Sequence, residues 1–287
     1  MGKAISFTFI FLHILLSTQV VSAQQIMLAQ DIIEKIKENV TCDWSETTVD
    51  NLKSGTPDSQ VTGIATTFLA NMAVLRRAKA KGLNMIITHE PTFYNHFDER
   101  EAYEQDPVYR AKLKYIEENE MVIWRFHDHW HQTKPDGIYK GMIAKLKWQD
   151  YREERDRFII PEITLGDLAT HLRDVFDAEG IRVVGDPELS VSEVAMRLGA
   201  SSHLGHFDML KRSDVDVLII GECREWETVE YVRDANGLGM GKGLILLGHA
   251  ISEEEGMAYC AEWLAQFIDE VPVEVVPCGE PFWTPKN

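Results

Sequence analysis

Four short apolar segments, each followed at once by ionisable residues, constrain this chain more than any other feature. In the first half, residues 83–88 lead into His89-Glu90-Pro91, and residues 121–126 lead into His127-Asp128-His129-Trp130-His131. In the second half, residues 216–220 lead into Gly221-Glu222-Cys223, and residues 244–247 lead into Gly248-His249. Segments with helical periodicity follow, and strands that alternate with helices indicate an α/β fold with mainly parallel sheets.

The repetition of this order predicts two similar α/β halves, residues 24–148 and 149–287, which arose by duplication and together form one domain. Folds of this kind bind ligands just past the carboxyl ends of their parallel strands. All four groups of ionisable residues fall at such ends. We therefore expect the functional site between the two halves, at the carboxyl ends of the strands.

Other segments have the periodicity of single elements. We predict a strand over residues 60–68, a solvated connector over residues 149–157, and helices over residues 26–40, 71–81, 107–118, 138–146, 164–177, 226–235 and 253–267. The helix over residues 107–118 has the most specific signal. Asp106 is a favoured N-cap, and Pro107 at the first helical position lacks only an N–H that the helix leaves unbonded.

The first 23 residues have the composition of a targeting segment. Lys3 is followed by a mostly apolar run over residues 5–16 and by the small residues Val21-Ser22-Ala23. A run this short does not comfortably span a bilayer. The order predicts a secretory signal peptide cleaved near Ala23, so that the mature protein is exported to the periplasm or secreted. A buried N-terminal helix is the alternative.

The charge of the chain restricts its partners. Lys and Arg total 29 against 46 Asp and Glu, for a net charge of −17. Nucleic acids and anionic membranes would repel such a protein, so we expect neither as a partner. A small phosphorylated substrate stays compatible, because a bound metal ion can reverse the local field.

The four cysteines are Cys42, Cys223, Cys260 and Cys278. An even number in an exported protein permits one or two disulfides, and reduced buried thiols are the alternative. Their spacing contains no Cys-x-x-Cys pair. A cysteine-ligated zinc ion is therefore not expected.

Histidine is concentrated where a site is expected. Of ten histidines, eight lie in predicted loops or at strand ends. Neutral imidazole and carboxylate are common ligands of divalent metals. In extended backbone, His127, His129 and His131 would share one face, and His249 and Glu253 are four residues apart where a strand becomes a helix. The sequence predicts a metal site, with solvated, unpaired histidines as the alternative.

The order of these motifs resembles the Nif-three-like dinuclear-metal family, also called GTP cyclohydrolase 1 type 2 homologs, from about Ile26 to the C-terminus. That family has a strand leading into His-His-Pro, then His-Thr-Asn-x-Asp, Thr-Gly-Glu and Gly-His-x-x-x-Glu. The matching positions here are His89-Glu90-Pro91, residues 127–131, Ile220-Gly221-Glu222 and residues 248–253. The resemblance also implies a ring-shaped homohexamer.

The resemblance implies two divalent metal ions, zinc, manganese, iron or nickel. Carried over by position, the metal ligands are His89, Glu90, His131, His249 and Glu253, with Glu253 as the bridge. Glu90 replaces a family histidine and His131 replaces a family aspartate. The exchange keeps three histidines and two carboxylates in the set.

A site with two ions implies hydrolysis, of a small cyclic amide or phosphorylated molecule. His127, Asp128 and Glu222 are the candidate catalytic residues, which either orient a ligand or transfer a proton. The alternative function is a protein that stores or delivers metal without turnover.

Residues outside the main motifs have two interpretations each. Arg197, His203 and His206 either contact an anionic substrate or belong to an ordinary surface loop. We expect the three tryptophans near the polar strand ends to pack in the core, with substrate stacking as the alternative; they are Trp124, Trp130 and Trp226.

Overall fold

The computed structural model describes Gly2 and residues 26–285, so the predicted signal peptide lies outside the described residues. The strands are β1 (Met27–Leu28), β2 (Leu52–Ser54), β3 (Gln60–Val61), β4 (Ile64–Thr67), β5 (Met85–Thr88), β6 (Val122–Arg125), β7 (Arg157–Thr164), β8 (Arg182–Val184), β9 (Ser190–Arg197), β10 (Val217–Ile220), β11 (Gly243–Leu246) and β12 (Val273–Val275). The helices are α1 (Ala29–Asn39), α2 (Met72–Ala80), α3 (Pro107–Glu118), α4 (Asp128–Gln132), α5 (Gly137–Leu146), α6 (Leu165–Phe176), α7 (His203–Leu210), α8 (Glu230–Gly237) and α9 (His249–Leu264). Within the described range, none of these helices has the length and apolar character needed to cross a membrane.

The first sheet has the strand order β12-β4-β5-β6-β2. Its first four strands are parallel, and β2 is antiparallel at the edge. Thr88 at the end of β5 is in register with Arg125 at the end of β6. The residues that follow these two strands therefore leave the sheet at one edge.

The second sheet has the order β7-β9-β10-β11-β8. Strands β9, β10 and β11 are parallel, whereas β7 and β8 run antiparallel at the two edges. Ile220 of β10 pairs with Leu246 of β11. Glu222 and His249 therefore follow neighbouring strands at one edge of this sheet.

The parallel strands at the centre of both sheets are apolar and buried on both faces. Helices cover those faces, which explains why these segments appear in the sequence as continuous Val, Ile and Leu runs. One apolar cluster includes residues of both sheets and of the helices between them, such as Ile87, Met142, Ile219 and Met257. The mixed α/β fold with two mainly parallel sheets is therefore confirmed.

Helices α5 and α9 approach closely at two glycines. A Cβ atom on Gly256 of α9 would lie 2.5 Å from Cα of Ile138, and one on Gly141 of α5 would lie 2.1 Å from the carbonyl oxygen of Glu255. Carbon atoms in contact are about 3.5–4.0 Å apart. Only residues without a side chain therefore fit at this crossing, and the close approach fixes the position of α9, whose first residue is His249.

Several predicted elements match the structure, and others differ for identifiable reasons. Helix α3 has the predicted bounds, with the Asp106 side chain accepting from the backbone N–H groups of Val108 and Tyr109. The predicted strand over residues 60–68 is divided into β3 and β4. Strand β7 begins at the end of the predicted connector and contains Pro161, a residue that strands accept at an edge position, which β7 occupies.

The division into residues 24–148 and 149–287 stays a prediction, as does the origin by duplication. Strand β12 belongs to the second half by sequence but pairs with β4 in the first sheet. Its register places Val273 opposite Ile64. The end of the described chain therefore contributes to the first sheet.

Candidate metal centre

The carboxyl ends of β5, β6, β10 and β11 carry the ionisable residues that the sequence singled out. His89 and Glu90 follow β5, His127 follows β6, Glu222 follows β10, and His249 begins α9 directly after β11. Gly248 has a φ of 94°, a conformation that favours glycine. The turn it makes allows the strand to enter the helix within two residues.

The prediction that residues 127–131 are extended is wrong. Residues 128–132 form the helix α4, in which positions four apart share one face. His127 and His131 therefore face the other site residues together, whereas His129 points away. Sequence alone favoured the extended form because alternating histidines have the spacing of a strand.

His129 is a structural residue. Its Nδ1 donates to Asp50 Oδ2 at 2.7 Å, and its Nε2 accepts from the backbone N–H of Ser45 at 2.9 Å. The ring also stacks on Trp44 with centroids 3.6 Å apart. The Asp50 carboxylate further accepts from the backbone N–H groups of residues 127, 128 and 129. Both ring nitrogens of His129 are therefore engaged, and Asp50 fixes the first turn of α4.

The other four imidazoles share one arrangement, in which Nδ1 is tied and Nε2 points toward the cluster. Three Nδ1 atoms form hydrogen bonds, with Phe126 O (3.1 Å, from His89), Asp128 Oδ1 (2.9 Å, from His127) and Asp136 Oδ2 (3.3 Å, from His131). The fourth, in His249, forms an ion pair with Glu222 Oε1 at 3.3 Å. Carbonyl and carboxylate oxygens only accept, so each Nδ1 carries the hydrogen. In the neutral ring, each Nε2 then presents a lone pair.

Two carboxylates complete the cluster. Glu253 Oε2 lies 3.1 Å from His249 Nε2 and 3.5 Å from His89 Nε2, while its Oε1 lies 4.0 Å from His131 Nε2. Glu90 Oε1 lies 3.5 Å from His249 Nε2 and 3.6 Å from His127 Nε2. Glu253 therefore contacts imidazoles from both halves of the chain, and it is buried.

The contact between His89 and His131 tests whether a metal fits. Their Nε2 atoms are 3.2 Å apart, and with both Nδ1 atoms protonated the two neutral rings would turn lone pairs toward each other. A proton or a cation is required between or beside them. Ligand atoms of two overlapping groups, His89 with His127 and His131, and His89 with Glu90 and Glu253, lie close enough to hold an ion.

A glycine leaves space for the cluster. A Cβ atom on Gly199 would lie 2.2 Å from Glu253 Oε1 and 3.3 Å from His249 Nε2, and the residue has a φ of 67°. Any side chain here would enter the site. Gly199 lies in the loop after β9, between Arg197 and His203, two residues whose roles the sequence left open.

The charges of the cluster are strongly perturbed. Burial alone would lower the pKa of His249, but hydrogen bonds with Glu222, Glu253 and Glu90 raise it to about 12. For the fully buried His89, burial and neighbouring imidazoles hold the pKa well below its usual value. Without a metal, the cluster therefore binds a proton on His249 in preference to His89.

The candidate catalytic residues occupy different places. His127, predicted to act beside the ligands, lies among them, with its ring centroid 4.6 Å from that of His89. Burial would raise the pKa of Asp128, but hydrogen bonds from His127, Thr48 and Val49 lower it to about 2. Glu222 is the exposed member, with 56% of its side chain accessible.

Sequence reasoning missed several residues that support the cluster. Asp136 accepts from His131 and also caps α5 by accepting from the backbone N–H groups of Ile138 and Tyr139. Arg125 is fully buried, pairs with Glu90 at 3.4 Å and donates to the backbone carbonyl of His89. No local pattern marks these partners, since their roles depend on contacts between separate elements.

The tryptophans and cysteines, which the sequence left with two interpretations each, have defined environments in the structure. Trp124 and Trp130 are buried as expected, but Trp226 is 72% exposed, so its expected core packing is wrong. The residue lies in a π-helical turn, Glu225–Val229, on the surface before α8. All four cysteines are unpaired.

The three residues considered for anion binding have different surroundings. Arg197 pairs with Asp156 at 2.7 Å. The ring of His206 lies between the hydroxyls of Ser201 and Thr228, each at 2.8 Å. His203 lines a cavity of about 550 Å³, and its Nδ1 lies 3.5 Å from Glu227 Oε2.

Comparison with known proteins gives consistent matches. The model of the family described as Duf34/NIF3 (NGG1p interacting factor 3) matches residues 27–280. A relative named "GTP cyclohydrolase 1 type 2 homolog" in Clostridium perfringens is 22% identical over 85% of this chain and 93% of its own length, and one of the same name in Clostridium acetobutylicum is 24% identical over 69% and 74%. The crystal structure of a Bacillus cereus protein related to NIF3 superposes with a TM-score of 0.71 at 15% identity, over 91% of this chain and 99% of that chain.

Proposed function

Because this chain belongs to the Duf34/NIF3 family, we propose that it is a metal-dependent hydrolase that acts on a small cyclic-amide or phosphorylated molecule at a two-metal centre. The carrying observation is the common orientation of four imidazoles, each with Nδ1 tied to an acceptor and Nε2 turned toward Glu90 and Glu253. Metal-binding histidines characteristically donate their second nitrogen to a carboxylate or a carbonyl in this way.

The donors divide into two groups around Glu253. We assign His89, His127 and His131, whose nitrogens lie close enough to hold an ion, to one ion. We assign His249 and Glu90, whose Nε2 and Oε1 atoms are 3.5 Å apart, to the other. Glu253 faces both groups through its two oxygens, which supports its role as the bridge. His127 is added to the ligand set expected from the sequence. Nitrogen and carboxylate ligands fit zinc, manganese, iron or nickel.

Divalent ions held here would supply Lewis acidity toward a carbonyl or phosphoryl oxygen and toward water. The protein residues perform the remaining tasks. Asp128 orients His127 through its Nδ1, and Asp136 does the same for His131. Glu222 lines four cavities, three of which also reach Glu90 or His249. This supports a role for its exposed carboxylate in exchanging a proton with a substrate.

Metal storage or delivery is the second candidate function. It would require a closed set of ligands with no room for a reacting molecule. Here a cavity of about 410 Å³ adjoins Glu90, Glu222 and His249, which is within the usual range of small-molecule sites. The cavity favours catalysis.

The proposal is tested by metal content per chain on the purified protein, for the parent and for Glu253→Gln and His249→Ala. We expect about two equivalents in the parent and fewer in both variants. His203→Ala is the matched control, since His203 lies outside the cluster, and it should keep the parent value. No metal in the parent after reloading would refute the centre.

Turnover is tested separately. The metal-loaded parent is screened against phosphomonoesters, cyclic amides and GTP, the last because of the name of the Clostridium relatives. Activity that is lost in Glu253→Gln supports the hydrolase. Full metal content without turnover of any of these substrates would favour storage.

Export after cleavage near Ala23, a homohexameric assembly, and the absence of nucleic-acid and membrane partners remain predictions. N-terminal sequencing of the protein outside the cytoplasm and light scattering in solution test the first two. Intact residues 1–23 in the mature protein would contradict the first.

A further inference from the structure

The cavity of about 410 Å³ beside the cluster has one wall that the proposed chemistry does not use. Its metal-side lining is Glu90, Glu222 and His249, and the unused wall includes Thr92, Tyr94 and Lys112. Lys112 comes from the middle of α3, and Thr92 lies in the loop after Pro91. The cavity therefore extends from the cluster to a buried lysine.

Lys112 is an incompletely satisfied cation. The residue is only 3% exposed, and its Nζ donates one hydrogen bond, to the carbonyl oxygen of Thr92 at 2.6 Å. An ammonium group has three donors, and no carboxylate of the described residues forms an ion pair with it. The nearby Asp98 pairs with Lys53 instead, at 3.4 Å. Burying an unpaired charge is costly, so a missing partner is implied.

A second polar group on the same wall also lacks a partner. The Thr92 hydroxyl is buried and has no hydrogen bond among the described residues. Such groups are rare in folded proteins unless a ligand or water satisfies them. The rings of Tyr94 and Phe93 lie 5.3 and 5.8 Å from Nζ, so the surroundings of the ammonium are otherwise aromatic.

We infer that this wall binds the anionic group of the substrate, a phosphate or a carboxylate, through Lys112 Nζ and the Thr92 hydroxyl, while the reacting bond lies at the metal end of the cavity. Only the position of the reacting bond rests on the proposed function; the anion site itself does not. In a chain with a net charge of −17, a buried lysine in the cavity wall supplies a local positive charge that can attract an anion. Burial lowers the pKa of Lys112 to about 8, so a larger fraction of this amine is unprotonated near neutral pH than in an ordinary lysine.

The test is competitive amine labelling of the intact protein with trace acetic anhydride at pH 7.5, followed by peptide mass spectrometry. Inorganic phosphate, glycerol phosphate, acetate and malonate are the probes, each with and without metal. We expect labelling of Lys112 to fall at least severalfold with one class of anion, phosphate or carboxylate, which identifies the group. Lys53, equally buried but paired with Asp98, and Lys114, exposed on the same helix, are the controls and should not change.

Two results of the labelling experiment would overturn the inference. One is the absence of Lys112 labelling without anion, because the amine would then be closed off from the cavity. The other is labelling that none of the four anions reduces. Protection of Lys112 that persists in metal-free protein would support this anion site even if the metal content refuted the metal centre. The two proposals can therefore be refuted independently.

A variant measures the strength of the contact. Lys112→Met keeps the length of the side chain, and we expect it to weaken binding of the protecting anion about tenfold or more in calorimetry, as loss of a charge-assisted hydrogen bond does. Lys114→Met should bind as the parent does. Unchanged affinity in a Lys112→Met protein with parental circular dichroism would also overturn the inference.

Discussion

Asp136→Asn tests whether the second nitrogen of His131 controls metal affinity. Asp136 Oδ1 caps α5, and an asparagine oxygen can keep that role. Its Oδ2 accepts from His131 Nδ1 at 3.3 Å and from Arg155 at 2.9 Å. Replacing this oxygen with an NH₂ group opposes donor to donor, so His131 loses the partner that holds the hydrogen on Nδ1.

We expect the substitution to lower metal affinity more than it lowers the stability of the fold. Replacing a carboxylate behind a histidine ligand typically weakens metal affinity 10–100-fold, about 1.4–2.7 kcal/mol. The lost ion pair with Arg155, whose side chain is 64% exposed, contributes only about 0–1 kcal/mol to stability. The measurements are competition for zinc with a chromophoric chelator and thermal unfolding of the metal-free protein.

Asp106→Asn is the matched control, because Asp106 caps α3 through the same two types of contact and bonds no imidazole. It should leave zinc affinity unchanged. Equal zinc affinity in the parent and Asp136→Asn would refute the argument, and so would an equal loss in both variants.

The remaining predictions concern pH and packing. The raised pKa of His249 stabilises the metal-free fold fully below its unfolded pKa of about 6.5, and that contribution declines as the pH rises toward about 12. The free energies of unfolding of the parent and His249→Gln, measured with urea, should therefore converge from pH 6 to pH 9. A constant difference between them would contradict this. Gly256→Ala should destabilise the protein by about 1–3 kcal/mol or more, because its Cβ would meet Ile138, whereas Gly205→Ala, in open space, should stabilise it by about 0.5–1 kcal/mol. Equal urea midpoints for these two glycine variants would show that the helix crossing is not tight.

Much of the fold could be predicted from local patterns. Asp106-Pro107 defined the start of α3, and the apolar runs over residues 83–88 and 216–220 marked two central strands. The edge strands β7 and β8 were missed, because exposed edge strands mix polar and apolar residues with no clear period. Strand β7 mixes charged and apolar residues in this way, and β8 consists of Arg182 and two valines with no residue fully buried.

Site residues that belong to one local motif could be predicted from the sequence, whereas those brought together by contacts between separate elements could not. His249 and Glu253 share a helix, so their spacing placed them correctly. His129 was misplaced because a histidine in a run is ambiguous until the backbone conformation is known. The buried Asp50, 79 residues away in sequence, decides the orientation of that ring, and no pattern within either segment records the contact.

The pairing of β12 with β4 sets the order in which the molecule can be assembled during synthesis. Ile64 emerges from the ribosome long before Val273, its partner in the sheet, and contacts so distant in sequence form slowly. Helix α9, with His249 and Glu253, is made immediately before β12. The nascent chain thus contains His89, His127 and His131 before Glu253 is made, so the proposed centre could be completed only after α9 has been synthesised.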